Sequence, residues 1–274
     1  MFALRQGSVI DAHSHVDKYG EGLARALAQI REYSILTVAV SMDVESFYET
    51  RRISESESFL LPSLGIHPWE ALRFAEKLSD LDALLMSTQL IGEIGLDRFF
   101  VEDAEYYPAH EKVFSYFLDA AEDQGKVVNI HSKGAEAEVL EHLRIRSLPG
   151  IIIHWYSGPL DLVGDFLDLG ALFTVGVEVL RSSHIQDLVR VIPADQLLTE
   201  TDNPGGWQWM KGEMGYPELL NEVETAVARV RRLERDRLSG QVRENMSVLL
   251  SRGGLTLPEW NHRPSDDELE GIVP

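Results

Sequence analysis

The chain contains no cysteine, so neither a disulfide nor a thiolate metal site can belong to its architecture, and any bound metal must be held by imidazole and carboxylate. Long apolar runs are missing as well. No stretch approaches the roughly 20 apolar residues that span a bilayer, and residues 1–10 carry no apolar run of the kind that opens a secretory signal. A soluble, cytoplasmic protein is therefore expected, with no membrane association and no obligate protein partner evident. Positive charge is scarce: 25 Lys and Arg stand against 45 Asp and Glu, a formal net charge of −20. A polyanion meets long-range repulsion over such a surface, which argues against a protein that coats DNA. It leaves room for one that holds a single phosphodiester on divalent cations, because the ions reverse the charge where the chemistry occurs. Internal repeats and linkers rich in Pro, Gly or Ser are also lacking, so one domain is expected.

What is present is an ordinary globular balance, 44% hydrophobic and 26% charged over 274 residues, a length close to the ~250 residues of one α/β barrel. Eight short β-branched runs recur, at Val9–Ala12, Leu36–Val40, Phe59–Leu64, Leu90–Ile94, Val127–Ile130, Gly150–Ile153, Ala171–Val175 and Leu197–Thr199. Amphipathic segments separate them: Gly22–Glu32, Val44–Glu55, Ala75–Ser87, Glu111–Gln124, Ala135–Leu143, Pro159–Leu169 and Ser183–Val191, with Pro217–Glu234 and Ser239–Leu250 at the end. Near-continuous apolar strands alternating with helices predict parallel strands covered on both faces, and eight such units predict a closed (β/α)8 TIM barrel of the α/β class. An open doubly wound sheet is the alternative; polar residues just past most strand ends favour the barrel, where βα-loops converge. The domain is expected over residues 1–257, followed by an acidic tail over 258–274 that contains Asp266, Asp267, Glu268 and Glu270.

Of nine histidines, five (His13, His15, His67, His131 and His154) fall directly after apolar runs, whereas His110, His142, His184 and His262 fall on helices or in the tail and read as surface residues. Strand alternation puts His13 and His15 on one side, able to share a cation. Glu93 sits inside an apolar run, where an unpaired carboxylate is costly and a cation would relieve it. His131, His154 and Asp202 close further strands, and imidazoles with carboxylates suit Mg, Mn or Zn without sulfur.

Six motifs carry a resemblance: H-x-H at His13 and His15, G-x-H-P at Gly65–Pro68, GEIGLD at Gly92–Asp97, IHSK at Ile130–Lys133, HWYSG at His154–Gly158 and TETDNP at Thr199–Pro204. Together, and in this order over residues 9–250, they resemble the TatD family of metal-dependent hydrolases. The resemblance implies an amidohydrolase-type barrel with two divalent metal ions and, as in several members, magnesium-dependent DNase activity, often as a 3′-exonuclease. It implies that His13, His15, Glu93 and Asp202 bind one cation and that Glu93, His131 and His154 bind the other. Lys133 stands where the family commonly has arginine, Trp155-Tyr156 replaces a usual Cys-Phe, and Asn203-Pro204-Gly205-Gly206 replaces a Ser-Pro-aromatic run.

The expected reaction is phosphodiester hydrolysis on short or single-stranded DNA, with Asp202 accepting a proton from water and Glu93 bridging the ions. Glu200 is expected to orient a ligand, bind metal or make a structural hydrogen bond; His67, Lys133, Trp155 and Tyr156 are expected to contact substrate. Aromatic loops at Arg98–Tyr107, Trp155-Tyr156 and Gly206–Tyr216 could stack bases of a single strand or simply cap the barrel. Two other readings stay open: a metal-dependent hydrolase of a small amide, ester or lactone, and a metal-loaded scaffold without turnover.

Overall fold

The computed structural model describes residues 9–255. Eight parallel strands form one sheet in sequential order: β1 (Val9–Ser14), β2 (Ile35–Val40), β3 (Leu60–Leu64), β4 (Leu90–Gly95), β5 (Val127–His131), β6 (Ile151–Ile153), β7 (Leu172–Val175) and β8 (Leu197–Thr199). The helices are α1 (Leu23–Tyr33), α2 (Val44–Ser54), α3 (Ala71–Phe74), α4 (Asp82–Ser87), α5 (Tyr107–Gln124), α6 (Glu136–Arg144), α7 (Val163–Asp168), α8 (Ser183–Val191), α9 (Gly205–Lys211), α10 (Leu219–Arg231) and α11 (Arg235–Arg252). Every residue of β2 and of β5 is buried, the two-sided burial that parallel strands require.

The seam between β8 and β1 is closed by side chains and loop backbone. Thr199 Oγ1 donates to the Ile10 carbonyl at 2.8 Å, the Thr201 amide donates to Asp11 Oδ1 at 2.9 Å, and the Asp202 amide donates to the His13 carbonyl at 2.9 Å. This joins the last strand to the first and makes the sheet a barrel, so the open alternative falls. The main apolar cluster joins strand residues such as Leu36, Ile94 and Phe173 to helix residues such as Phe114, Val139 and Val242.

Two helices differ from the sequence expectation. Ala75–Ser87 begins just after α3 and holds a 3-10 turn at Leu78–Leu81 followed by α4; Leu78, Leu81 and Leu85 are its buried leucines, and their spacing is met by a tight turn as well as by a continuous helix. Helix α9 was not expected, because Asn203-Pro204-Gly205-Gly206 reads as a turn. His110 is also corrected. It is 2% exposed and shares a face of α5 with Val113, Phe114 and Phe117, so it belongs to the interior. The acidic tail at 258–274 and His262 lie outside the described residues. Among the described residues, no helix is long and apolar enough to cross a membrane.

One glycine fixes how closely β4 and β5 approach at the mouth. Gly95 has φ +149°, and a Cβ there would stand 1.9 Å from the His131 carbonyl oxygen, so both the backbone region and the contact exclude a side chain. Gly95→Ala is expected to lower stability by ~2 kcal/mol or more, read as a fall in the midpoint of thermal unfolding; an unchanged midpoint would show that β4 and β5 can separate without cost.

Candidate metal centre

The carboxylate of Glu93 lies at the centre of the barrel mouth, 2% exposed. Its Oε2 is 3.4 Å from both His13 Nε2 and His15 Nε2, and Asp202 Oδ1 lies 3.6 and 3.4 Å from the same two nitrogens. The two imidazole nitrogens are themselves 3.4 Å apart. These separations are too long for good hydrogen bonds, yet they match the ~3.3–3.5 Å between neighbouring donors on a tetrahedral ion with bonds of ~2.0–2.2 Å. The other oxygen, Oε1, faces a second group: His131 Nδ1 at 2.9 Å, His67 Nε2 at 3.5 Å and His154 Nε2 at 3.8 Å. The other five residues expected as ligands thus gather around the Glu93 carboxylate, which divides its oxygens between two sets of donors.

Hydrogen bonds behind the rings decide which nitrogen each offers. His13 Nδ1 meets Asn129 Oδ1 at 2.9 Å, and Asn129 in turn donates through Nδ2 to the Ala12 carbonyl, which orients the amide. His131 Nε2 meets Asp97 Oδ2 at 3.0 Å, and His154 Nδ1 meets Glu200 Oε2 at 2.8 Å. In all three, the far nitrogen faces an oxygen, so a ring that carries a single proton holds it there and aims the lone pair of the near nitrogen at the cluster. His67 is arranged the other way round. Its Nδ1 accepts the Trp69 amide at 3.2 Å, so in the neutral ring the proton sits on Nε2. Proximity alone groups His67 with Glu93 and His131, but this tautomer makes it a hydrogen-bond donor to the mouth.

The electrostatics fit a site built for positive charge. Burial works against protonation of His15, but hydrogen bonds and charge from Asp202 and Glu93 prevail and push it up to about 10; His131 is raised to about 9 in the same manner by Asp97 and Glu93. Burial likewise opposes ionisation of Glu93, yet His67, His13 and His131 hold its carboxyl well below the ordinary range. Carboxylates that draw protons onto neighbouring imidazoles draw a divalent cation as well, with release of those protons. The donor set contains hard oxygen and borderline nitrogen without sulfur, a combination compatible with Mg, Mn or Zn.

A cavity of about 410 Å³ opens above the cluster, with Lys133, Trp155, Trp69 and Trp209 among its lining residues. Lys133 Nζ donates to Ser157 Oγ at 2.6 Å. Burial bears on two of the expected roles. Tyr156, expected at the substrate, is 1% exposed; its hydroxyl donates to the Pro159 carbonyl and its ring packs edge-on against Phe166 and Phe173, because it points into the core from the residue after Trp155. Glu200, expected to orient a ligand, bind metal or make a structural hydrogen bond, is fully buried. Burial pushes it up to about 8, and its oxygens are engaged by His154 and by the Trp155 amide, the geometry of a group that orients His154. Asp97, given no role from sequence, holds His131 in the same way. Its signal was its place two residues past β4, in the motif that contains Glu93.

Over residues 10–251 the chain matches the family described as TatD related DNase. An uncharacterized metal-dependent hydrolase of Methanocaldococcus jannaschii is 23% identical over 91% of this chain and 99% of its own length. A 3′-5′ ssDNA/RNA exonuclease TatD of Edwardsiella piscicida is 32% identical over 53% of this chain and 58% of its own. Among solved structures, a TatD homolog from Escherichia coli shares the fold with a TM-score of 0.75 at 24% identity, covering 88% of this chain and 97% of that one.

Because Glu93 faces both donor groups, Glu93→Gln is expected to weaken metal binding by ~100-fold or more while the folded spectrum is kept; Asp97→Asn and Glu200→Gln are each expected to weaken it by ~10- to 100-fold. Titration calorimetry with manganese reads both, and full metal affinity in Glu93→Gln would overturn the assignment.

Proposed function

The chain belongs to the TatD related DNase family of metal-dependent hydrolases, and from that premise we propose that it hydrolyses phosphodiester bonds at the ends of single-stranded DNA, using two divalent cations, Mg, Mn or Zn. The observation that carries this reading is the division of one buried carboxylate between two donor groups beneath a cavity that also receives a lysine ammonium and an imidazole N–H. Such a mouth offers positive charge and donors to a phosphate while the remaining surface, at net −20, repels an extended strand.

In this reading His13, His15, Glu93 and Asp202 hold one ion, and Glu93, His131 and His154 hold the other. When bound, the ions polarise a phosphoryl oxygen and make a nearby water more acidic. Asp202 accepts the proton of the attacking water. Its side chain is 20% exposed, against 2% for Glu93 and none for Glu200, so it is the most open to the cavity of the three carboxylates. Burial opposes its ionisation, but His15, His154 and His13 lower its carboxyl below the usual value, which keeps it a base at neutral pH. Lys133, anchored on Ser157, and the His67 Nε2–H hold the phosphoryl oxygens that carry growing charge. Glu200 and Asp97 keep His154 and His131 in the required tautomers, and Trp155 forms the wall beside the phosphate.

Asp202→Asn is expected to lower kcat on end-labelled single-stranded DNA by ~10²- to 10⁴-fold at saturating manganese, and Lys133→Ala to raise KM about tenfold with a smaller effect on kcat. A chelator is expected to abolish shortening of the strand, and added manganese or magnesium to restore it. Turnover of amide, ester or lactone substrates in the absence of any metal-dependent shortening would overturn the nuclease reading.

A further inference from the structure

The aromatic side chains at the mouth form two walls on opposite sides of the cavity above the donor groups. One wall, from the loops after β3 and β4, consists of Trp69 and Phe100, whose rings meet edge to face at 5.7 Å. The other, from the loops after β6 and β8, consists of Trp155 and Trp209, edge to face at 6.1 Å. All four line the same cavity as Glu93 and Asp202.

Both walls are held from behind. The Trp69 indole donates to Asp97 Oδ2 at 2.9 Å, and the Phe100 amide donates to Asp97 Oδ1 at 2.7 Å. The Trp155 indole donates to Glu178 Oε2 at 2.7 Å, and its amide donates to Glu200 Oε1 at 3.1 Å. Space for that indole comes from Gly206, where a Cβ would stand 2.7 Å from Trp155 Cζ3. Trp155 and the Gly-Gly pair, two separate departures from the family pattern in sequence, are thus one feature in space. Aromatics that only cap a barrel are buried, as Tyr156 is; Trp69, Phe100 and Trp209 are 51%, 46% and 55% exposed. Pre-oriented apolar surface left open to water beside a reactive site is a mark of ligand binding.

Charge and size restrict the ligand. Besides the imidazoles, the basic side chains among the described residues lining the cavity are Lys18 and Lys133. Arg98, in the loop after β4, is engaged by Glu111 at 2.6 Å and lies over the Tyr107 ring. So few cations hold about one phosphate, not a tracked backbone. The cavity, at about 410 Å³, is near the lower end of the ~300–1,000 Å³ of small-ligand sites, and a terminal base paired in a duplex offers only its outer face, whereas an unpaired one offers both.

Resting on the nuclease reading, we propose that the two walls form a subsite for one unpaired nucleobase at the strand end, so that the enzyme grips its substrate by stacking on the terminal base rather than by contacts along the phosphate chain. The subsite accepts any base, since every base has a stacking face.

The test uses full-length protein loaded with manganese and end-labelled single strands, each terminating either in an ordinary nucleotide or in an abasic tetrahydrofuran residue at the attacked end. The wild type is expected to process the ordinary end with a kcat/KM ~5- to 150-fold higher, mostly through KM. Trp209→Ala, at an exposed position that tolerates truncation, and Trp155→Phe are each expected to shrink that ratio severalfold, and Trp209→Phe to restore it. Equal rates on the two ends in the wild type, or an undiminished ratio in both variants, would overturn the subsite while leaving the nuclease reading in place. No shortening of either strand would overturn the nuclease reading, and the subsite with it.

Discussion

A carboxylate buried in the mouth of a barrel is tolerable only if positive charge surrounds it, and the architecture at this end of the molecule follows from that requirement at Glu93. Imidazoles arrive from β1, β3, β5 and β6 or the loops just beyond them, and the loop after β8 brings Asp202. Isolated, a charge in this position would cost several kcal/mol even after relaxation. Shared between two donor groups, it becomes the reason that they are adjacent. The close approach of β4 to β5 at Gly95 and the seam contacts between β8 and β1 serve the same end, because a displacement of about 1 Å would remove a donor from reach.

The groups behind the donors matter as much as the donors. Asn129, Asp97 and Glu200 each pair with the far nitrogen of one imidazole, and so turn the near nitrogen to the cluster. Asp97 and Glu200 have a second attachment as well, to the amides of Phe99, Phe100 and Trp155. The aromatic walls and the donor groups therefore share their supports. A molecule with so few cations at its mouth relies on this shared rigidity: stacking surfaces hold a ligand well only when they do not have to be ordered upon binding.

Much of this was legible in the chain. The eight strand positions follow from β-branched runs that are buried on both faces, and they agree with the structure to within one or two residues at nearly every end. Helix α8 is found at its expected bounds, since Ile185, Leu188 and Val189 mark one face clearly. Illegible segments were those where the pattern was degenerate or overridden. Leu78, Leu81 and Leu85 fit more than one helical geometry, Gly205-Gly206 announces a turn yet begins α9, and His110 has the polarity of a surface residue but the spacing of the interior face of α5.

The sequence by itself determined the barrel, the absence of sulfur from any metal site, and the set of imidazoles and carboxylates at the strand ends, because strand periodicity and residue chemistry are local properties written in order along the chain. Only the tertiary structure decided which nitrogen each ring turns to the cluster, that His67 accepts an amide at Nδ1 where His13, His131 and His154 meet side-chain oxygens behind the ring, that Glu200 is sealed behind His154, and that Tyr156 turns into the core while its neighbour Trp155 turns to the cavity. Those outcomes depend on partners such as Asn129, Asp97 and Gly206, which lie far from these residues along the chain or act through backbone contacts, and a one-dimensional pattern carries no information on which of them will meet.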